Sequence, residues 1–300
     1  MRDVARYGKG GRLSSLFDFV NVLVMLVFIS IMVFPFLNQL ALSLNDGYDA
    51  MKGGIVLWPR KVSLSSYELL ISHPKLLRGA LISVLRVVVG TVTCVFMTGL
   101  LAYIITRPGF SGRRFLRVLF IVTMYFSGGL IPFYLLIVRI GLTNTFTVYW
   151  LPSILNAYYM LIMASYMQNL PDSLTESARM DGASEMRVFL RIIIPMSTPV
   201  LAAISIFAAV GHWNSWFDVL IYNPSGTWDT LQVYLRRLLL EIEALATVRD
   251  MQLMQSRLRN VSTVTYRAAT AMAVTVPIVI VYPFLQRYFI SGITLGAVKA

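Results

Sequence analysis

Long apolar stretches separated by polar segments form the dominant pattern along the chain. Six of them reach about 20 residues, the length of helix that crosses a hydrocarbon core roughly 30 Å thick. Backbone N–H and C=O groups in lipid must pair within their own segment, so each stretch is predicted to be an α-helix. The pattern therefore predicts an all-α membrane protein whose six transmembrane helices span residues 17–37, 81–106, 115–138, 145–167, 196–222 and 268–289.

Lys and Arg near the ends of these spans predict the orientation of the chain. Thirteen of them lie in short segments before the first span, between the second and third, between the fourth and fifth, and after the sixth. Twelve lie on the opposite side, mostly in the two long segments, so the lengths of the segments decide the orientation. Short loops rich in Lys and Arg stay in the cytoplasm, so the tails 1–16 and 291–300 are both predicted to be cytoplasmic. Residues 17–290 then form one transmembrane domain, with long external segments at 38–80 and 223–267.

The second external segment has apolar residues near helical spacing among charged ones, from Leu231 to Leu245. This spacing predicts an amphipathic helix. Such a helix either lies on the membrane surface or docks an extracytoplasmic partner, and periodicity does not distinguish the two.

Composition excludes several classes of protein. With 57% hydrophobic and 13% charged residues, the chain has too much apolar surface for a soluble core and too few charges for disorder. A net charge of +12 would suggest nucleic acid in a soluble domain. In a membrane protein, however, Lys and Arg gather at span ends and lipid headgroups. Membrane lipid is therefore an expected contact and nucleic acid is not.

The chemistry-bearing residues give no sign of an enzyme. A single cysteine, Cys94, excludes an intrachain disulfide and a multi-cysteine metal site. The two histidines, His73 and His212, have no partner motif, and neither H-E-x-x-H nor G-x-S-x-G occurs. We therefore expect a non-catalytic chain that binds no metal and no cofactor.

The segment 171–195, between the fourth and fifth spans, carries the most specific local signals. Ser173 and Glu176 have the spacing of a capping box, which predicts a helix that starts directly after Pro171. Gly182 follows that helix at a point where a residue in the left-handed conformation would end it. The segment is thus predicted to be a helix followed by a tight turn.

A second short helix is predicted from Ser184 to Pro195. Its apolar residues fall on one stripe at i, i+3, i+4 and i+7, namely Met186, Phe189, Leu190 and Ile193. A helical hairpin with an apolar stripe is a surface that a partner protein could cover. The plain alternative is a solvated connector in which Glu176 pairs with Arg179.

The same residues resemble a known signature. The order Glu176-Ser177-Ala178, Gly182 and Ile192-x-Ile194-Pro195 is similar to the EAA signature of permease subunits in binding-protein-dependent ATP-binding-cassette (ABC) importers. Ser177 replaces an alanine of that signature and Ile194 replaces a leucine. The resemblance implies that the segment 171–195 is a coupling helix that contacts an ATPase.

Other stretches resemble one branch of these permeases. The ending 286–300 is similar to that of maltose-type carbohydrate permeases, as are 213–222 and 141–145. The stretch 126–132 resembles the lipoprotein-associated polysaccharide-uptake branch, which implies an oligosaccharide substrate. The alternatives are an importer permease for a solute other than a sugar and a stand-alone secondary transporter.

The resemblance also implies the other parts of the machine. In this family two homologous permeases form the translocation path, two copies of a cytoplasmic ATPase drive it, and an extracytoplasmic solute-binding protein delivers the substrate, all at the bacterial inner membrane. This chain has no G-x-x-x-x-G-K-[ST] phosphate loop. ATP and Mg are therefore expected to be used by the partner ATPase.

Residue roles follow from the resemblance by position. Glu176 is similar to the family carboxylate that pairs with an ATPase arginine. The residues expected to couple to the ATPase are Glu176, Ser177, Ala178, Asp181, Gly182, Ala183, Met186, Phe189 and Pro195. A second ATPase contact is expected from the C-terminal residues Gly292, Thr294, Gly296 and Lys299.

The substrate path is indicated by polar residues inside the spans. Arg86 and Asp218 are the deepest ionisable groups, and such residues usually face a bundle interior or an aqueous cavity. Alternatively Arg86 extends its charge to the interface and Asp218 pairs structurally. Further candidates are the amide and aromatic residues Trp213, Asn214, Trp216 and Tyr222, which could bind sugar rings or belong to the interfacial belt. A surplus of positive charge outside would suit uronic-acid oligosaccharides or an acidic binding protein.

Overall fold

Helices account for nearly all regular structure in the computed structural model, which describes residues 12–247 and 261–297. Within these ranges the only strand pairing is one isolated bridge between Asn45 and Val62. The predicted all-α fold class is confirmed for this part of the chain. The helices are α1 (Arg12–Ser43), α2 (Gly47–Met51), α3 (Ser65–Ser72), α4 (Pro74–Thr106), α5 (Arg113–Tyr125), α6 (Leu130–Arg139), α7 (Ala157–Met167), α8 (Asp172–Met180), α9 (Glu185–Val188), α10 (Ile194–Met196), α11 (Thr198–Asn214), α12 (Phe217–Tyr222), α13 (Leu231–Thr247) and α14 (Thr263–Ala297).

The described residues divide into two units, the first of which comprises 12–72, 241–247 and 261–273. Its α1 is apolar for most of its length, and the side chains from Leu16 to Phe36 are exposed in the isolated chain. Such a surface matches lipid or neighbouring transmembrane helices. The polar end of the unit is held by hydrogen bonds, including one of 3.0 Å from the Ser66 hydroxyl to Thr265 Oγ1.

The second unit comprises residues 73–240 and 274–297 and is built around α4. Helices α7 and α11 pack along α4. Their shared core contains the fully buried side chains of Met160, Met163, Phe189, Ile193 and Ile204. The 33 residues of α4 make it about 50 Å long, enough to cross a bilayer with turns to spare.

Only some of the predicted spans are single helices. Three continuous helices are long and apolar enough to cross a membrane, at Leu16–Ser43, Pro74–Thr106 and Thr263–Val281. Three further candidates are bent pairs, so the described residues offer between three and six spans. The pairs are Arg113–Tyr125 with Leu130–Arg139, Phe146–Ser153 with Ala157–Met167, and Glu185–Met196 with Thr198–Asn214, bent by 117°, 48° and 82°.

The expectation of unbroken helices over 115–138, 145–167 and 196–222 is therefore wrong. The first breaks at Gly129, whose φ of 83° is a conformation that costs little without a Cβ atom. The second starts as 3-10 turns and becomes α-helical only after Asn156, whose Oδ1 accepts a 3.0 Å hydrogen bond from the Tyr159 N–H. The third is interrupted after Asn214, and α12 follows.

The predicted external segment 38–80 is partly helical at its ends. α1 continues to Ser43 and α4 begins at Pro74, so helix occupies both ends of the segment 38–80. The amphipathic helix expected in 223–267 is present as α13, but its apolar side lies in the fold: Val233 and Leu235 are buried. That face packs against the chain itself, which neither the membrane-surface nor the docking interpretation anticipated.

Candidate functional site

The segment 171–195 forms two short helices joined by a tight turn, as predicted. α8 ends at Met180, and Gly182 adopts a φ of 77° in the turn. The Ser184 side chain caps α9 by accepting a 3.4 Å hydrogen bond from the Arg187 N–H. No atom lies within 4 Å of where a Cβ of Gly182 would stand, so the glycine is required by backbone conformation and not by space in this chain.

The predicted capping box is wrong. α8 begins at Asp172, so Ser173 lies inside the helix, where its carbonyl accepts a 2.9 Å hydrogen bond from the Ser177 hydroxyl. The residue before the helix is Pro171, which has no side-chain group to cap it. The helix start is stabilised instead by the acidic Asp172 in the first turn, next to the positive end of the helix dipole.

The predicted single apolar stripe is also wrong. Residues Phe189–Ile193 form a π-helical turn, whose wider spacing shifts the register of the side chains. Phe189 and Ile193 are fully buried, whereas Met186 and Leu190 are 49% and 46% exposed. Phe189 therefore anchors the hairpin in the core and does not present its ring to a partner. Nor does the helix end at Pro195, because α10 continues to Met196.

The exposed side of the hairpin combines apolar and charged groups. Glu176 and Asp181 are exposed beside the apolar residues Leu174 and Met180, and Met180 is 88% exposed. The remaining predicted coupling residues divide between surface and core: Ser177, Gly182, Met186 and Pro195 are exposed, while Ala178 and Ala183 pack against the buried cluster around Phe189. Leu174 and Met180 were missed, because a single exposed apolar side chain carries no pattern.

The hairpin is tied to α4 through Glu185. Its carboxylate accepts hydrogen bonds from Arg179 Nε at 2.8 Å and from the Tyr103 hydroxyl at 2.6 Å. The Arg107 guanidinium lies 4.3 Å from the centre of the Tyr103 ring. The hydrogen bond to Glu185 raises the pKa of Arg179, which stays charged. Arg179 thus pairs with Glu185, six residues further along the chain. The alternative pairing of Arg179 with Glu176 is wrong.

Arg86 and Asp218, predicted separately as deep ionisable groups, form a salt bridge between α4 and α12. Arg86 is buried and its guanidinium lies 4.9 Å from the centre of the Tyr149 ring. The Ser215 hydroxyl donates a 2.9 Å hydrogen bond to Asp218 Oδ1. Structural pairing is therefore the interpretation that the geometry supports, and Arg86 does not reach for the interface.

The aromatic candidates have structural contacts as well. Trp213 Nε1 donates a 3.2 Å hydrogen bond to the Val274 carbonyl, and the buried Tyr222 ring stacks on Tyr134 at 6.2 Å. The Arg236 guanidinium lies 4.1 Å from the centre of the Trp216 ring. Asn214 is exposed.

At the C-terminal end, the predicted contact residues Gly292, Thr294 and Gly296 belong to α14, which continues through Ala297. The expected contact at Lys299 lies outside the described residues.

Comparison with known proteins identifies this arrangement. Residues 95–295 match the family model described as binding-protein-dependent transport system inner membrane component. The chain belongs to this family. It is therefore a permease subunit of an ABC importer and a multi-pass protein of the bacterial inner membrane. The alternative of a stand-alone secondary transporter is wrong.

Relatives of this permease match it over nearly its whole length. It is 34% identical to the polygalacturonan/rhamnogalacturonan transport system permease protein YtcP of Bacillus subtilis, over 95% of this chain and 98% of that protein. It is 36% identical to Protein LplC of the same organism, over 97% and 96%. A solved structure of a bacterial ABC transporter involved in the import of the acidic polysaccharide alginate matches 94% of this permease and 99% of its own chain, with a TM-score of 0.85 and 26% identity.

Proposed function

We propose that this permease is one half of the translocation path of an ATP-driven importer for oligosaccharides derived from acidic polysaccharides. The observation that supports it best is the full-length likeness to a relative named for polygalacturonan and rhamnogalacturonan transport, together with the alginate importer structure. A second homologous permease would complete the path, and an extracytoplasmic solute-binding protein would deliver the substrate.

In this proposal the hairpin α8–α9 is the coupling element. Its exposed Glu176, Met180 and Met186 would contact a cytoplasmic ATPase, present in two copies, that uses ATP and Mg. The backbone of Gly182 shapes the contact. The C-terminal residues Gly292, Thr294, Gly296 and Lys299 would form a second contact with the same subunit, so the C-terminus would be cytoplasmic. With six spans the N-terminus would then be cytoplasmic as well.

The hydrogen bonds around Glu185 give the hairpin a route to the transmembrane helices. A displacement of α8 would reach α4 through Arg179, Glu185 and Tyr103, at distances of 2.8 and 2.6 Å. α7 and α11 pack on α4, so they would move with it. Coupling would then be a rigid-body shift of packed helices rather than a change in any one of them.

The salt bridge between Arg86 and Asp218 has a supporting role in this scheme. It fixes α12, which follows the break after Asn214, against α4. The exposed Asn214 and the partly exposed Trp216 are then the candidates for touching sugar, while Trp213 and Tyr222 shape the wall behind them.

The test begins with a tagged chain extracted gently from its native membrane, followed by mass spectrometry of the proteins that co-purify. We expect a second permease, an ABC ATPase and a solute-binding protein. The reconstituted complex is then assayed for ATPase stimulation and uptake with digalacturonate and with arabinobiose. Stimulation by digalacturonate supports the proposed substrate class.

A neutral oligosaccharide is the second candidate. It is favoured by 30% identity to the arabinooligosaccharides transport system permease protein AraQ of Halalkalibacterium halodurans, over 90% of this chain and 92% of that protein. Stimulation by arabinobiose and not by digalacturonate would replace the acidic substrate with this one. Recovery of the chain without an ATPase would remove the coupling role.

A further inference from the structure

A small cavity with a cationic lining lies at the start of α4. It encloses about 150 Å³, well above the roughly 10–15 Å³ that one water molecule needs. Lys75 and Arg78, one turn apart on α4, line one side, and Arg237 of α13 lines another. Asp229 is the acidic residue of the lining, so positive charge exceeds negative charge by two.

This cavity lies at the end of α4 opposite the coupling hairpin. Lys75 is in the first turn of the helix, whereas Tyr103, which binds Glu185, is in its last turn. The helix is about 50 Å long, so the two sites are separated by the full thickness of a bilayer. If the hairpin contacts the cytoplasmic ATPase, as proposed above, the cavity opens on the external side.

The loop that closes the cavity is held in place by buried groups. Asn223 is fully buried; its side-chain amide donates a 3.0 Å hydrogen bond to Asp229 Oδ1, and its Oδ1 accepts one of 3.3 Å from the Trp228 N–H. Arg237 forms a 2.7 Å salt bridge with Asp229 Oδ2. The cavity wall is therefore organised before any ligand arrives, which lowers the entropy cost of binding.

The start of α13 is also fixed on α4. Ser83 Oγ accepts a 2.8 Å hydrogen bond from the buried Leu231 N–H. The anchored helix brings Arg237 to the lining of the cavity that Lys75 and Arg78 also line. Arg237 already forms a salt bridge with Asp229. Lys75 and Arg78, by contrast, are exposed and form no salt bridge with any of the described side chains.

We propose that this cavity receives the carboxylate of an acidic sugar residue as the oligosaccharide enters the path, with Lys75 and Arg78 as the residues that select for its charge. Polar hydroxyls from Ser225 and Thr227 line the same cavity and suit a sugar ring. Charge-assisted hydrogen bonds to a carboxylate are stronger than those between neutral groups. The inference rests on the proposed function, since it takes its ligand class from there.

The test uses the assembled complex with the double variant Lys75→Gln/Arg78→Gln. Both side chains are exposed, so their loss should not disturb the core. The matched control is Lys52→Gln/Arg139→Gln, which removes two exposed positive charges elsewhere on the predicted external side. Uptake is measured with digalacturonate and with its dimethyl ester, which has nearly the same shape and no charge.

We expect the double variant to raise the KM for digalacturonate about tenfold, the effect of roughly one lost charge-assisted hydrogen bond. Uptake of the ester and the behaviour of the control variant should be unchanged. An unchanged KM for the acid, or an equal loss with acid and ester, would overturn the site while leaving the proposed function intact.

One further outcome concerns the source of the carboxylate. If the variant weakens binding of the sugar-free solute-binding protein to the complex, the cavity receives an acidic side chain of that protein, and the inference is wrong. If the wild-type complex takes up neither digalacturonate nor its dimethyl ester, the proposed substrate class is wrong, and so is the proposed carboxylate site that depends on it. Loss of discrimination between acid and ester in the double variant alone supports the inference.

Discussion

Two arginine–carboxylate pairs differ in their surroundings. Arg86 and Asp218 join α4 to α12, whereas Arg179 and Glu185 join the two helices of the hairpin, which Glu185 links to α4 through Tyr103. Arg86 is 3% exposed and its partner Asp218 is 26% exposed, whereas Arg179 and Glu185 are 38% and 57% exposed. Breaking a buried pair costs several kcal/mol, because the remaining charge is left without compensation. An exposed pair contributes about 0 to 1 kcal/mol. The first pair is therefore suited to holding the architecture. The second contributes little to stability, so under the proposed coupling role it can open and re-form during a transport cycle.

The largest expected effect comes from breaking the buried pair with Asp218→Asn. Arg86 then stays buried without its counter-ion, and we expect the free energy of unfolding to fall by about 3 to 5 kcal/mol. Thermal unfolding of the detergent-extracted protein measures the loss. The control is the double variant Arg86→Met/Asp218→Leu, which removes both charges and should recover most of the stability. A single variant as stable as wild type would show that the pair is not structural.

Features that depend on residues close together in the sequence could be predicted. These are the apolar spans and the turn at Gly182, where the left-handed conformation follows from the local sequence. The sequence identified Arg86 and Asp218 as deep ionisable residues but did not predict that they pair with each other. They are 132 residues apart, and only the packing of α12 beside α4 brings them together. The same reason hid the contact between Tyr103 and Glu185, which are 82 residues apart.

The wrong predictions have local causes that hydropathy does not register. The break at Gly129 leaves the segment 115–138 as apolar as an unbroken helix, so its composition gives no signal. The apolar stripe was predicted with a constant period of 3.6 residues per turn. The π-helical turn at Phe189–Ile193 departs from that period, so two of the four stripe residues lie in the core and two are exposed. The resemblance to the family depended on the spacing of motifs along the sequence, which such irregularities in the helices do not change.

A smaller effect is expected from the turn that carries the exposed pair. At a φ of 77°, a β-branched residue is strained, so Gly182→Val should cost about 1 to 2 kcal/mol locally and abolish coupled ATP hydrolysis. Asn tolerates the left-handed region, so Gly182→Asn should keep most of the activity. The assay is substrate-stimulated ATPase activity of the complex. Equal loss in both variants would mean that the partner leaves no room for a side chain, and that conformation is not the cause.

The smallest effect on stability, with a clear effect on coupling, is expected for the exposed pair itself. Glu185→Gln weakens the hydrogen bonds to Arg179 and Tyr103, and we expect the free energy of unfolding to change by less than about 1 kcal/mol. Substrate-stimulated ATPase activity should nevertheless fall several-fold, because the link between the hairpin and α4 is weakened. Arg187→Gln, on the same short helix and also exposed, is the control and should behave like wild type.

The variant Tyr103→Phe separates transmission from simple contact with the ATPase. It removes one hydroxyl on α4 and leaves the exposed surface of the hairpin unchanged. If Glu185 acts through α4, the two substitutions should be non-additive: Tyr103→Phe/Glu185→Gln should be no more defective than Glu185→Gln alone. Additive defects would instead place the role of Glu185 at the ATPase surface. In that case the difference between the two arginine–carboxylate pairs would concern burial alone and not the path by which motion reaches the transmembrane helices.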